Sequence, residues 1–434
     1  MLISAAEIPA LSKSEQQAVL AVLPRQSREI ARLARLSDPA SRDDAPVVTV
    51  VGKYNHGKSR LLNELLGSDA FLVADRRETS TLAACCSGDV RWLDAPGLDA
   101  DVHSADDTLA EQAVWRCSDV RLFVHAAKGG ELDAAERRWL DELCYDAVRS
   151  RRSTLFVMTQ VDQLADEAQL QDIQDVLRAQ LQTLGWGAVL ATYAVSATRH
   201  RRGVQEGKRL LVAKSGLPEL QAAIAQAVAE VPAARSHEHA LLHAELTNEC
   251  ESCKKAASSA LAECRANQCR QRKAFEEDLA AVLDKVSEDL REILLSSGPD
   301  RALEPDSFVT MFKVTAGKRE RARLQIAYSR ACIEIDGVLI KHGVTCLPKA
   351  QRVQARSLNS LVVAVMGVSV KYREDLRKIF AEEAGRARLQ REFGRYFALS
   401  EDQCSLVNRI AQCEADLVAC GEALAVLRTW KPEP

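Results

Sequence analysis

The sequence predicts an α/β domain, with a mainly parallel sheet and helices on both faces, joined to a mostly α-helical region. Three observations predict it. Between about residues 46 and 232, short apolar runs alternate with amphipathic helical stretches, as in successive β-α-β units. One of these runs, VVTVV at 47–51, leads directly into GKYNHGKS at 52–59, a glycine-bracketed loop that opens a helix. Beyond Pro232 the strand signals largely vanish, and apolar residues recur at helical spacing almost to the end.

The elements follow in chain order. Residues 12–36 read as helix: Ser12 and Glu15 have capping-box spacing, and Leu20, Leu23, Ile30, Leu33 and Leu36 recur at roughly helical intervals. Pro24 should kink or split it, because proline removes a donor and clashes with the preceding turn. A polar linker, SDPASRDDAP, follows at 37–46. Strands are expected at 47–51, 90–96, 120–126, 154–160 and 189–197, with helices between them. Residues 235–296 carry a stripe from Leu242 and Leu246 through Cys250, Leu261 and Phe275 to Leu290, a long helix or helix pair that SSGPD at 296–300 breaks. Residues 306–395 read mostly as helix, and 401–430 as a last helix. The expected domains are therefore an N-terminal helical segment at 1–45, the α/β domain at 46–232 and a helical, coiled-coil-like domain at 233–434.

Composition narrows the classes of function. With 434 residues the chain has room for two or three domains, and 47% hydrophobic with 27% charged residues fits a folded, soluble protein. A net charge of −3 argues against an overall electrostatic grip on nucleic acid or anionic lipid, while leaving local patches open. Thirteen irregularly spaced cysteines, and an N-terminus without a basic stretch or long apolar core, point to free thiols in a reducing cytoplasm. No run of 18 apolar residues exists, so no transmembrane segment is expected; the longest run, LVVAVMGVSV at 361–370, is too short to span.

The loop at 52–59 is an unbroken G-x-x-x-x-G-K-S. Gly52 and Gly57 let backbone N–H groups curl around phosphates, Lys58 brings a point charge to the β- and γ-phosphates, and Ser59 offers a hydroxyl to Mg2+. Arg60 opens the helix whose N-terminal dipole adds to the site. Asp94 and Gly97, in DAPG at a strand end, can hold the Mg2+ shell through water and sense the γ-phosphate. Thr159, Gln160 and Asp162, in TQVD at another strand end, present a carboxylate that accepts from a base bearing both N1–H and an exocyclic amine, as guanine does. Ser196 and Ala197, in VSAT, place a backbone N–H where the guanine O6 would lie.

These four motifs, in this order, resemble the translation-factor-related class of P-loop GTPases. Within it, VVGKYNHGKSRLLNELLG is similar to bacterial dynamin-like proteins and their Era-like relatives, over about residues 46–231. The resemblance implies an α/β P-loop GTPase domain with a stalk-like helical region, GTP and GDP as ligands, and Mg2+ as cofactor. It implies Mg2+ ligation by Ser59 and by Thr79 or Thr81 in RRETSTLA, with Asp94 in the outer shell. Asn55 stands where potassium-activated members place an asparagine; either it helps to coordinate K+ or it simply shapes the loop. Lys58, Asn55 and Thr79 or Thr81 are thus the residues on which catalysis would rest. Leu98 stands where many small GTPases carry a water-positioning glutamine, so slow basal hydrolysis is expected, helped by K+, a bridging water or a second G domain. Gln160 replaces the usual lysine of the guanine motif, and His56 is an unusual neighbour of Gly57 that reads as a loop residue facing phosphate through its backbone.

The plan further implies a homodimer through G domains and peripheral contact with a membrane, for which 361–370 is either a dipping tip or a buried core helix. Nucleic acid is the less favoured partner, although RHRRG at 199–203 and AGKRERARLQ at 316–325 are basic. The alternatives are an Era-like switch that binds RNA or ribosome, and a nucleotide-binding scaffold with little turnover. Cys250, Cys253, Cys264 and Cys269 invite a zinc reading, but the first three fall on an apolar stripe and read as core.

Overall fold

A computed structural model of the chain describes residues 3–4, 13–38, 44–71, 83–95, 111–186, 190–304, 313–345 and 370–432. The chain divides into two compact units, one of residues 1–253 with 419–434 and the other of residues 254–418.

The first unit holds a seven-stranded sheet: β1 (Ile3–Ser4), β2 (Val47–Gly52), β3 (Ala83–Ser87), β4 (Val90–Asp94), β5 (Val120–Ala126), β6 (Ser153–Thr159) and β7 (Thr192–Ala194), in the order β1-β3-β4-β2-β5-β6-β7. β4, β2, β5, β6 and β7 are parallel, and β3 runs antiparallel to both β4 and β1. The register sets Gly52 beside Val124, and Ala126 beside Thr159, so the loops leaving β2, β5 and β6 gather at one edge. β2 and β5 are buried at every position because helices cover both faces. Alternate side chains divide accordingly. Val48, Val50, Leu122, Val124 and Val157 join one core cluster, while Val51, Phe123, Phe156 and Met158 join the other.

Strands expected at 47–51, 90–96, 120–126 and 154–160 are present within two residues. The run at 189–197 forms strand only over Thr192–Ala194, because Ser196 leaves the ladder to cap the next helix. β3 was not expected: AACCS has no β-branched or aromatic residue, and its pairing with β4 makes it a strand.

The N-terminal helix is split around Pro24 into Lys13–Val22 and Ser27–Ser37. Val19, Leu23, Ile30 and Leu33 pack with Leu242, Leu246 and Cys250, and with Ala423, Leu424, Leu427 and Trp430. Pro232 does not end an element. The helix that begins at Leu217, with Leu220, Ile224 and Val231 in the sheet core, continues unbroken through Pro232 to Asp289. Its proline forfeits one backbone bond, and apolar burial on both sides of Pro232 carries the helix past that loss.

The second unit is helical over its described residues, with Ala316–Lys341 and Glu383–Ala398 among its helices. Leu279, Leu283, Leu324, Ile335, Leu339 and Phe393 centre its core, where Phe275 and Phe397 stack at 4.4 Å and 6°. Among the described residues no helix is long and apolar enough to cross a membrane. The run at 361–370 lies outside them except for Val370.

Candidate functional site

Three segments meet at the carboxyl edge of the sheet. The first is the loop after β2. A Cβ at Gly52 would stand 2.2 Å from the Val124 carbonyl oxygen, so this strand end approaches β5 closely only without a side chain. Gly57 sits at φ 81° as the N-cap of the helix Lys58–Leu66, a left-handed position that suits glycine. Asn55 is exposed and also left-handed, at φ 60°. Lys58 is buried, and its ammonium donates to the carbonyls of Gly52 (3.0 Å) and Lys53 (2.8 Å), so the loop curls around its own cation. Arg60 is exposed on the helix that follows.

The second segment is the end of β4. Asp94 is buried, and its Oδ2 accepts from Ser59 Oγ at 2.5 Å. Burial pushes this carboxyl up from its ordinary range, against the opposing pull of the Lys58 charge and the Ser59 hydroxyl. Its Oδ1 finds no partner among the described residues. A buried, unpartnered carboxylate oxygen beside a serine hydroxyl is the donor chemistry that hydrated Mg2+ takes, so Ser59 and Asp94 fit that ion. Thr79, Thr81, Gly97 and Leu98 lie outside the described residues.

The third segment gathers the TQVD and VSAT motifs. Thr159 ends β6 and donates through Oγ1 to the His56 carbonyl at 2.5 Å. Gln160, left-handed at φ 61°, donates through Nε2 to the Asn55 carbonyl at 2.7 Å. Both bonds pin the phosphate loop to the TQVD loop. The second gives the unexpected Gln160 a structural role that the motif alone did not suggest. Asp162 is exposed in the short 3-10 turn that follows, and its Oδ1 accepts from Ser196 Oγ at 2.6 Å. Ser196 is buried and also caps the helix Ala197–Gln205 by accepting from the Arg199 N–H at 2.9 Å. One hydroxyl therefore aligns the carboxylate and the VSAT turn together, with Ala197 half-buried beside it.

The basic run at 199–203 is committed within the fold. Arg199 binds the Lys214 carbonyl, His200 binds Glu64, Arg201 binds Asp69 and Arg202 binds Glu206. Cys250 and Cys253 pack with the N-terminal helices, as core rather than ligands. Sequence reasoning missed the surroundings of His56, whose ring meets His125 and Glu136 from β5 and the helix Ala134–Ser150. Burial, chiefly, pushes the His56 pKa down to about 4. No linear spacing links these three residues, so only the fold reveals them.

At the opposite, amino-terminal edge of the sheet lies a buried ionic network. Asp119, just before β5, accepts from Arg32 (3.0 Å), from Arg235 and from the Val47 N–H (2.9 Å). Glu238 joins Arg32 (2.8 Å) to Arg152 (3.1 Å). The N-terminal helices, the sheet and the helix that begins at Leu217 are thereby tied at one place.

A parallel-sheet strand that ends in a G-x-x-x-x-G-K-S loop, with a buried carboxylate beside its serine and a second carboxylate held by Ser196 after β6, is the arrangement of a P-loop GTPase domain. Comparison with known proteins agrees: the family described as 50S ribosome-binding GTPase matches residues 47–174. The chain belongs to one family with an uncharacterized protein of Acinetobacter baylyi, 48% identical over 394 residues that cover 91% of this chain and 92% of that one. It is also similar to GTPase Der of Pseudomonas fluorescens strain Pf-5, 28% identical over 40% of this chain but only 33% of Der. Among solved structures it is similar to LeoA, a bacterial dynamin GTPase from ETEC, at 12% identity, 96% of this chain, 97% of that chain and a TM-score of 0.38. Era from Aquifex aeolicus is similar at 21% identity, 41% of this chain, 55% of that chain and a TM-score of 0.31.

Proposed function

We propose that the chain binds GTP at the carboxyl edge of its sheet, hydrolyses it to GDP and phosphate with Mg2+, and uses the turnover to move or assemble its helical region. The observation that carries the reading is the junction of Thr159 and Gln160 with the carbonyls of His56 and Asn55, by which Asp162 and the loop at 52–59 would be presented to one ligand. The loop N–H groups and Lys58 would hold the phosphates, the lysine exchanging the Gly52 and Lys53 carbonyls for phosphate oxygens. Ser59, one of Thr79 and Thr81, and the outer-shell Asp94 would hold Mg2+, which when bound neutralises charge on the β- and γ-phosphates. Asp162 would accept from the guanine N1–H and amine, with the Ala197 N–H near O6. Arg60, exposed, would act through the helix start, and Asn55 would take K+ against the phosphates. Catalysis would rest on positioning and charge, because Leu98 cannot orient water.

Coupling to the helices is supported by the helix at Leu217, which starts in the sheet core and continues past residue 232 without a joint. A homodimer through G domains, cytoplasmic location and peripheral membrane contact belong to the same proposal.

The test is GTP hydrolysis by the purified chain over a concentration series, in KCl and in NaCl. Specific activity that rises with concentration, and more in K+, is the expected result. A low rate that is independent of concentration and cation would overturn the paired-domain reading and favour a monomeric switch or a scaffold. Lys58→Ala should weaken GTP binding by about 2–5 kcal/mol, the cost of removing one partner of a desolvated charge pair; unchanged binding would refute the assignment of the loop. The family description favours ribosome or RNA as a second partner, for which salt-sensitive RNA binding is the check.

A further inference from the structure

Behind the loop at 52–59, around the His56 ring, the fold assembles donors of another kind. His56 comes from the loop, His125 from β5 and Glu136 from the first turn of the helix Ala134–Ser150. Each offers one donor atom, and the three atoms lie within 4.8 Å of one another. We propose that His56, His125 and Glu136 form a binding site for a divalent transition ion of the Zn2+ type, which ties the phosphate loop to β5 and to the helix behind it.

The donor set is the first reason. Two imidazoles and one carboxylate are a common three-residue zinc set, with the fourth position left to water, and nitrogen-rich donors prefer such ions to Mg2+. The spacing is the second. His125 Nδ1 is 2.8 Å and His56 Nδ1 3.5 Å from Glu136 Oε1. Donors held tetrahedrally at about 2.0–2.1 Å stand roughly 3.4 Å apart, so the His125–Glu136 contact opens by about 0.6 Å, and His56 Nδ1 gives up the Val124 carbonyl, which it faces at 3.3 Å, for the ion.

The outer hydrogen-bond partners are the third reason. Both nitrogens of His125 face acceptors, Nδ1 toward Glu136 Oε1 and Nε2 toward the Gly130 carbonyl at 3.3 Å. With an ion between His125 Nδ1 and Glu136, Nε2–H donates to Gly130, and Nδ1 and the carboxylate both bind the metal. That is the usual outer support of a metal-bound histidine. Glu136 is steadied in the same way, its Oε2 accepting from the Asp133 N–H at 3.2 Å. His125 and Glu136 are nearly inaccessible, at 1% and 3%, while His56 at 14% provides the route of entry.

The site stands independently of the GTP assignment, because its test uses the metal alone. Full-length, nucleotide-free protein is titrated with Zn2+ against a chromophoric chelator, and with Co2+ as a spectroscopic probe. The expected result is one tightly held equivalent per chain, a tetrahedral Co2+ spectrum without thiolate bands, and a melting temperature that rises with Zn2+. Glu136→Gln and His56→Ala should each weaken binding at least about tenfold. Glu136→Gln is nearly isosteric and His56 lies on a loop, and a metal-free melt of each variant reports whether it has folded. Absence of a tight equivalent in the wild-type chain, unchanged affinity in both folded variants, or a thiolate-type spectrum would overturn the proposal and leave the three residues as a hydrogen-bonded bridge.

Discussion

Removal of the Asp119 carboxylate tests the buried network that joins the sheet to the helices around it. Asp119 is 2% exposed, as are its neighbours Arg32 and Glu238. In Asp119→Ala, Arg35 and Arg235 lose this carboxylate, Arg32 keeps Glu238 and the Arg116 carbonyl, and the Val47 N–H at the start of β2 loses its acceptor. Breaking a buried ion pair from one side costs about 3–5 kcal/mol, and an orphaned buried N–H about 1–3 kcal/mol. Arg235 is 13% exposed and can regain water, so about 3–5 kcal/mol is the net expectation. All five tryptophans (Trp92, Trp115, Trp139, Trp186 and Trp430) lie in the first unit, so urea unfolding followed by their fluorescence reports on that unit alone. At a slope of about 2 kcal/mol per molar urea, the midpoint should fall by about 2 M. The pH dependence has a definite sign. Burial pushes the Asp119 carboxyl up, but Arg32, Arg35 and Arg235 outweigh it and hold it well below the usual carboxylate range. Its stabilisation is therefore full above the unfolded pKa of about 4 and is lost as pH falls toward the folded value. The gap between wild type and variant should narrow from pH 7 to about pH 3. A loss below about 1 kcal/mol at pH 7, or a gap that widens in acid, would refute the reasoning.

Gly52→Ala places a methyl 2.2 Å from a backbone carbonyl of β5, so it should distort the loop and lower nucleotide affinity, measured by calorimetry, even where the fold survives. Ser196→Ala should cost about 1 kcal/mol as a lost helix cap, read by thermal melting. Because Asp162 loses its aligning hydroxyl as well, the preference for GTP over ATP should fall in the same variant. Phe393→Ala, at a fully buried site in the second unit, should cost about 3–5 kcal/mol, seen as a fall in the helical circular dichroism midpoint.

The parallel strands were legible because each is an apolar run bounded by turn residues, and their burial on both faces is what selects Val, Leu and Phe there. β3 was not, because AACCS carries no local preference and its pairing with β4 decides its state. That a helix runs through Pro232 has no local signature, because burial of Val231 and Leu242 on either side of it is a matter of tertiary packing. The loop at 52–59 was legible as a turn from strand to helix because its motif is contiguous in sequence. Contacts such as Gln160 to the Asn55 carbonyl, or His56 with His125 and Glu136, join distant positions and have no linear signature.

The placement of the helix that starts at Leu217 bears on how a nucleotide would be felt beyond the sheet. Just before it, the Ser215 carbonyl accepts from the Ser196 N–H, and Gly216 packs against the Ala194 carbonyl so closely that a Cβ would fall 2.0 Å from it. The helix is thus anchored directly to the turn that carries the guanine-motif serine. Along the same helix, Arg235 and Glu238 enter the network around Asp119 at the other edge of the sheet. The span from Leu217 to Glu238 is about 32 Å at 1.5 Å per residue, with no joint at Pro232. A continuous helix held at both edges gives a displacement at one end a path to the other. A shift of the Ser196 turn on base binding would therefore arrive as strain at Asp119 and Arg32, where the N-terminal helix Ser27–Ser37 is held. On this argument Asp119→Ala should lower stability while leaving GTP affinity, measured by calorimetry, unchanged.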